Sequence, residues 1–518
     1  MKSKLLFILG LCLFLAMQPA FAQDEELPKE DSSKFTGGAV VGSVTLDGKT
    51  YQQFALRADV PIGKFGFGVD LQILFDENGQ IRKDDWDEWT DYLDKLYYIR
   101  YGKKKDPFYI KVGGLDYSYI GYSNIINGYS NMVQYPSRKR YGGELSFYIP
   151  SKKWEGKPAG GAEFVFNDFK ELFVESPAEK GIVFGTRAFV RPVKFLELGV
   201  TLAGDLNEYN AFLDKDHDGT PDLIDLYPGN KNWATEMDKI DPADWDHLLN
   251  DTYWGASRSE AYNNLLALGL VPSDTTRMAD LFNLNNQSSR MYAASVDIGI
   301  PLVEKEKIKL DIYSHFTQLK GDSLYGWGAA LPGIRLIIGS GSITNFLTFK
   351  AEYRRSSKEF LFGYFNNTYE LERAQFVGNR QAITKQQSLL AIQEELNGIY
   401  ASAELNILNY VVCYAAYQDL VGEDHLRSIH GELKMGEALK KLISFGDVKG
   451  YYIQNNVQDF REWKTPSTIM GYTIGYNYKG AIVGFDYRWT FQDLDGSGKI
   501  RGDNEVFKTI SFRTAISF

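Results

Sequence analysis

Cysteine is almost absent from this 518-residue chain: there are two, Cys12 and Cys413. Cys12 lies in an N-terminal stretch expected to be removed. One cysteine then remains, which excludes an intrachain disulfide, so loop stability must come from elsewhere. Histidine is scarce too. The five, His217, His247, His315, His425 and His430, show no zinc-binding spacing. There is no Gly-x-Ser-x-Gly nucleophile elbow and no phosphate-binding glycine loop, and the expectation is a protein without enzymatic activity. A basic excess is missing: the formal net charge is −10, which argues against a nucleic-acid partner. Past the N-terminus no stretch reads as a transmembrane helix.

The N-terminus reads as a secretory signal. Lys2 and Lys4 precede the apolar stretch Leu5 to Met17, which is too short to span a bilayer comfortably, and Ala20-Phe21-Ala22 is a small-x-small cleavage site before Gln23. Leu11, not a small residue, precedes Cys12, which speaks against a lipoprotein. Residues 1–22 are therefore expected to be a leader and 23–36 a short segment before the first strand.

Tyrosine and phenylalanine (33 each) and glycine (49) are abundant, and the aromatics alternate with small or polar residues. Phe65, Phe67, Val69, Leu71, Ile73 and Phe75 oppose Gly66, Gly68, Asp70 and Gln72. Leu196, Leu198, Val200 and Leu202 oppose Glu197, Gly199, Thr201 and Ala203. The runs 347–354, 470–478 and 481–492 repeat the pattern. Period two means strands with two different environments on their faces. A soluble β-sandwich alternates as well. What separates the two is repetition at about 9–11 residues, enough for a tilted strand to cross hydrocarbon, with charges as near neighbours. The last strand ends in Phe512, Thr514, Ile516 and Phe518 on one face. This terminal phenylalanine resembles the C-terminal signature of bacterial outer-membrane proteins, porin-like barrels among them. The resemblance implies an all-β fold, a transmembrane antiparallel up-and-down barrel, with outer-membrane lipid and the barrel assembly machinery as partners.

Connection lengths test this reading. With a periplasmic C-terminus, the links 61–64, 104–106, 150–158, 191–194, 302–306, 339–342, 407–409, 436–446 and 479–480 fall on the periplasmic side and are mostly short. The links 77–94, 116–138, 169–180, 205–288, 356–394, 457–466 and 493–504 fall outside and are mostly long, as barrels require. The count is about 20 strands (16–22) over 37–518. Residues 205–288 are too long for a simple loop. Ser259 and Glu260, then Ala261 to Leu268 before Gly269 and Pro272, read as a capped helix, and Asp244 to Leu249 as a further helical turn. A small, partly helical external insert is expected.

That insert carries the sharpest motif: Asp214, Asp216, Asp218, Asp222 and Asp225 at positions 1, 3, 5, 9 and 12 of a loop with Gly219 at position 6. Ca²⁺ takes six to eight oxygens, and a sharp turn brings close-spaced carboxylates together, with the Thr220 carbonyl joining them. The spacing, with Pro221 at position 8 and Tyr227-Pro228 beyond, resembles thrombospondin type-3 calcium repeats, implying a structural Ca²⁺. A solvated acidic loop is the plainer alternative. A weaker second loop offers Asp493, Asp495, Ser497, Lys499, Asp503 and Glu505; an ordinary hairpin explains it equally well.

Two features bear on the interior. Gly121-Tyr122-Ser123-Asn124 recurs as Gly128-Tyr129-Ser130-Asn131 around Ile125 and Ile126. Such apolar residues suit a segment folded into the lumen, as a constriction or partial plug, or else a hairpin above the membrane. Arg57, Asp59, Asp70, Arg187, Glu197, Lys350, Glu352, Arg354, Asp486, Arg488 and Arg513 should face inward, paired with one another or setting a field across a pore. The expected function is a porin-like or substrate-specific channel passing small solutes. A surface-binding barrel whose 205–288 insert meets a ligand or partner is the alternative, and a barrel enzyme the third. Nothing resembles an N-terminal plug domain, which speaks against an energy-coupled receptor.

Overall fold

The computed structural model describes residues 36–517 apart from 47–48, 83–85, 87–91, 93–94, 105, 136–137, 153–157, 174–179, 215, 223, 226–230, 232–259, 261–263, 265–281, 306, 340–344, 378–380, 424, 441, 444, 456, 458, 479–480, 494–496, 498 and 503–504. The expected signal peptide, the terminal Phe518 and almost all of the expected insert helices lie outside the described residues; Glu260 and Asn264 alone are described there, each with helical backbone.

Among the described residues, twenty strands make one antiparallel sheet. Each pairs with the next in the chain, skipping only short strands inside the long links. The last strand, Val506–Ser517, pairs back onto the first, Thr36–Leu46, from Thr36↔Ser517 to Val44↔Thr509. The sheet thus closes on itself and leaves no edge to aggregate. Links of two to a few residues gather at one end, including 63–64, 194–195 and 408–410. In the last of these Leu408 and Asn409 both take left-handed backbone, the geometry of a tight hairpin turn. The opposite end carries the long links 76–95, 114–141, 167–182, 206–290, 357–395, 455–467 and 492–505, together with the short links 47–48, 322–324 and 422–424. Among the described residues no helix is long and apolar enough to cross a membrane.

The alternation is realised as predicted. Leu198, Val200 and Leu202 point outward at 40, 52 and 50% exposure, while Thr201 and Ala203 between them are buried at 1 and 3%. Val296 and Ile298 point out; Ser295 and Asp297 point in. One outward assignment fails at a strand end, where Phe491 is buried at 2%.

The interior is packed. The 114–141 link turns inward, and so does 357–395, which the loop parity places outside the barrel. Ile126–Tyr129 pairs antiparallel with Ser118–Tyr119 and parallel with Phe365–Asn366, making a small sheet within the large one. One apolar cluster runs from Val165, Val183 and Met291 on one side of the wall to Leu420 and Leu426 on the other. It passes through Ile120, Ile125, Ile126, Phe360, Tyr364, Phe365 and Tyr369 of the two inward segments. The correction to 357–395 has a physical cause: its aromatics are too apolar to stay in water, and the lumen is the nearest place to bury them.

Candidate functional site

The plug begins with the Gly-Tyr-Ser-Asn repeat. Gly121 and Gly128 both adopt positive φ, +57 and +70°, so each copy makes the reversal that L-residues resist. A β-carbon at Gly121 would also strike Arg187. Between the turns the segment is fastened to the wall. Gly121 N–H donates to Glu163 at 2.9 Å, Asn124 Nδ2 to Thr317 Oγ1 at 3.0 Å and to Ser295 Oγ, and Lys350 Nζ to the Tyr122 carbonyl at 2.7 Å. Tyr122 stacks on Tyr313 with centroids 4.2 Å apart. On the opposite wall Tyr135 donates to Asp70 at 2.7 Å, and Arg488 donates to the Tyr135 carbonyl. Wall glycines make the room: a β-carbon at Gly185 would collide with Ile126, and one at Gly328 with Phe360.

A buried polar latch holds the second inward segment to the mouth. Arg373, wholly buried, donates to Asp205 at 2.6 and 2.8 Å, to the Asn207 carbonyl at 3.2 Å and to the Gly181 carbonyl. Arg140, also wholly buried, pairs with Glu370 at 3.0 Å, and Arg373 reaches the same carboxylate at 3.3 Å. Lys385 pairs with Glu372 at 2.5 Å and Arg138 with Glu171 at 3.6 Å. Tyr369 donates to Asp205 at 2.6 Å and Tyr364 to Glu208. This latch was not foreseen from the sequence, because its members come from four separate links and no spacing connects them.

The inward charges pair along the wall rather than across the lumen. Arg187 meets Asp297 at 2.6 Å and Glu197 at 3.0 Å; Arg191 meets Glu197 at 2.9 Å. Glu352 takes Lys350 at 2.8 Å and Arg354 at 2.5 Å. Thr473 donates to Asp486, while Asp70 and Arg488 hold the plug. The side chains of Arg57, Asp59 and Arg513 lie outside the described set. Towards the short-link end the lumen is wet: the Arg335 and Lys434 side chains are 39 and 38% exposed, against complete burial of Arg373 and Arg140 in the plug.

The first acidic loop gathers part of its expected ligand set. One carboxylate oxygen each from Asp214, Asp216 and Asp218 lie within 4.8 Å of one another, a separation that one Ca²⁺ with oxygens at about 2.3–2.6 Å can bridge. Gly219, at φ +96°, makes the turn, and its N–H donates to Asp214 at 2.8 Å. Thr220 is buried, with its N–H on Asp218 at 2.5 Å. Asp222 and Asp225 sit on the following turn and are not gathered with the other three; their N–H groups donate to the Leu213 and Pro221 carbonyls at 2.7 and 3.0 Å. Partial burial pushes Asp214 up to about 6, with the Asp218 and Asp216 charges adding to the rise and the Gly219 N–H opposing it. The three converging hard oxygens fit a hard cation. The loop is also clamped to the plug: Phe212, Ile224, Phe282 and Leu284 pack on Ala374, Phe376 and Ala382, with Phe212 and Phe376 centroids 4.4 Å apart.

The second acidic loop is organised as a hairpin. Glu505 accepts from the Arg501 and Gly502 N–H groups at 2.8 and 2.9 Å, Ser497 bonds locally with Lys499, and Lys499 pairs with Glu462. Asp495 and Asp503 lie outside the described residues. Among the described residues no carboxylates gather near Asp493.

No family model matches the chain, and no curated protein matches it. Solved structures of similar outline are barrels. Wzi, an outer-membrane protein of group 1 capsule assembly in Escherichia coli described as a carbohydrate-binding β-barrel, is 10% identical, with 93% of this chain and 84% of that one covered at a TM-score of 0.33. OprD of Pseudomonas aeruginosa is 10% identical over 96% and 99% of the two chains, TM-score 0.29. The FrpB iron transporter of Neisseria meningitidis is 7% identical over 97% and 86%, TM-score 0.35. Likeness at this level carries no argument about residues or activity.

Proposed function

We propose that this chain is an outer-membrane β-barrel of the channel-forming kind whose lumen is closed at the cell-surface end by its own loops, so that passage is reserved for a specific small solute and free diffusion is blocked. One observation carries the reading: the lumen is divided into a packed half, fastened by buried ion pairs, and a wet, charge-lined half at the short-link end. The long links lie outside the cell and the C-terminal strand is the element offered to the assembly machinery. The exposed band of Leu198, Val200, Val296 and Ile298 faces lipid. On that basis Val296→Arg should cost about 2–4 kcal/mol of barrel stability in a bilayer, whereas Arg in place of exposed Lys499 should cost nothing measurable; reversible unfolding in lipid vesicles reads both.

The buried latch favours a second reading, in which the plug never leaves and the long-link face binds a ligand or partner. Planar-bilayer recording separates the two. A wild-type barrel conducting like an open pore sinks the closed lumen. A barrel lacking both inward segments that still fails to conduct sinks the channel and leaves surface binding.

The first acidic loop, in this reading, holds a structural Ca²⁺ through Asp214, Asp216 and Asp218, with the Thr220 carbonyl, Asp222 and Asp225 completing the set as the loop tightens. Chelator should lower the melting temperature of the wild type and leave Asp214→Ala/Asp218→Ala unaffected. Equal melting with and without chelator, and no metal in the purified protein, would remove calcium from the account.

A further inference from the structure

We infer that the latch is a proton-controlled fastening: Glu208 carries a proton while the plug is seated, and loss of that proton loosens both the plug segment and the stem of the insert. The inference rests on the closed-lumen reading.

Glu208 stands three residues past the end of the strand Leu196–Asp205, at the start of the insert, so it sits where wall, insert and plug meet. It is wholly buried. Charge accounting around it leaves it over. Asp205 and Glu370 take Arg373, Glu370 also takes Arg140, Glu372 takes Lys385 and Glu171 takes Arg138. Five buried carboxylates face four cations, and no lysine or arginine pairs with Glu208 among the described residues. Lys385, on the plug segment, lies over the Tyr364 and Tyr369 rings and is committed to Glu372. An unpaired buried carboxylate is costly, and such groups neutralise instead.

The surroundings accept either form. Oε1 receives the Tyr364 hydroxyl, and the Tyr369 hydroxyl oxygen, whose proton goes to Asp205, lies 3.3 Å away. Oε2 lies 3.0 Å from Ser289 Oγ and 3.2 Å from the Gln386 N–H. Ser289 Oγ is also 3.1 Å from Thr384 Oγ1. When Glu208 is protonated its O–H donates to Ser289, whose own hydroxyl turns to Thr384. Ionised, the carboxylate receives Ser289 instead, at the cost of a buried charge facing Asp205. Burial, with Asp205 adding to it, pushes Glu208 up to about 7, against the pull of Tyr364, Gln386 and Ser289. A carboxyl raised on folding stabilises the seated state below its free value and loses that contribution as pH rises through the folded one. The window therefore runs from the free value near 4.5 to about 7, and the plug loosens towards the alkaline side.

Hydrogen exchange of the full-length barrel in lipid, corrected for the intrinsic pH dependence of exchange, tests this on the amides of 364–373. Wild type should open on the order of a hundredfold more readily at pH 8 than at pH 5. Glu208→Gln, neutral at every pH, should hold the acidic level of protection throughout. Tyr364→Phe, which removes a donor to the carboxylate, should move the midpoint upward and guards against a Gln variant that does not fold. A protected plug with no pH response in wild type, or the same response in Glu208→Gln, overturns the inference alone. A plug unprotected at every pH overturns the closed lumen with it.

Discussion

Deleting residues 118–130 should convert a barrel that barely conducts into one with the steady conductance of an open pore. The deletion removes Ile120, Ile125, Ile126 and Tyr129 from the centre of the interior cluster. It also takes away the strand on which Phe365–Asn366 is paired. The second inward segment then loses its parallel partner and much of its apolar contact, so the effect should exceed the volume of thirteen residues. The wall should survive, because its strands are held to one another by backbone hydrogen bonds around a closed ring, independent of what fills it. Single-channel recording beside a thermal melt of the barrel checks both halves: conductance rises while the wall still melts as a folded barrel. Low conductance in the deleted barrel would mean that the other segment seals the lumen alone, or that nothing passes through it.

Arg373→Ala should release the mouth of the plug, weakening its protection by about 3–5 kcal/mol, the usual consequence of removing one partner from a buried charge pair. Arg373 is wholly buried, and five acceptors converge on it: Asp205, Glu370, the Gly181 and Asn207 carbonyls and the Asn210 side chain, the last at 3.4 Å. Two of these are carboxylates that would be left in the interior with their charge uncompensated. Arg140 can compensate Glu370, whereas Asp205 would keep only neutral donors such as Tyr369. The loss should appear in hydrogen exchange of 364–373 and as raised conductance, with the wall strands unchanged. Arg355→Ala serves as the control: its pair with Glu395 at 2.7 Å is exposed on both sides, water screens it, and no change is expected. An Arg373→Ala barrel as protected as wild type would show that the apolar cluster seats the plug without the latch.

The interior residues show why part of this site could be read early and part could not. The repeat at Gly121 and Gly128 stood out because two identical turns bracket apolar residues, and local turn chemistry is written in adjacent positions. The 357–395 segment has a comparable aromatic content in Phe360, Phe362, Tyr364, Phe365 and Tyr369, yet its length and parity alone suggested an outside loop. Period-two patterning says which face a strand residue occupies, and it is silent about irregular links. Arg373, Arg140, Asp205 and Glu208 are scattered over more than 200 positions, and nothing local marks them as neighbours. The acidic loop lies between these cases: Asp214, Asp216 and Asp218 come together because Gly219 turns the chain within five residues, while Asp222 and Asp225 depend on packing beyond the loop.

By itself the sequence determined the wall: strand spacing, the outward apolar face and the gathering of the longest links at one end. These follow from a two-residue period and from turn residues, both of which act between near neighbours. Whether the ring encloses water or protein was decided only by the tertiary structure, since the two inward segments bury their side chains against walls far away in sequence. The inward charges likewise took their partners from the same or nearby strands and from the plug, because register and packing, not composition, set which opposite charges come within about 3 Å of one another.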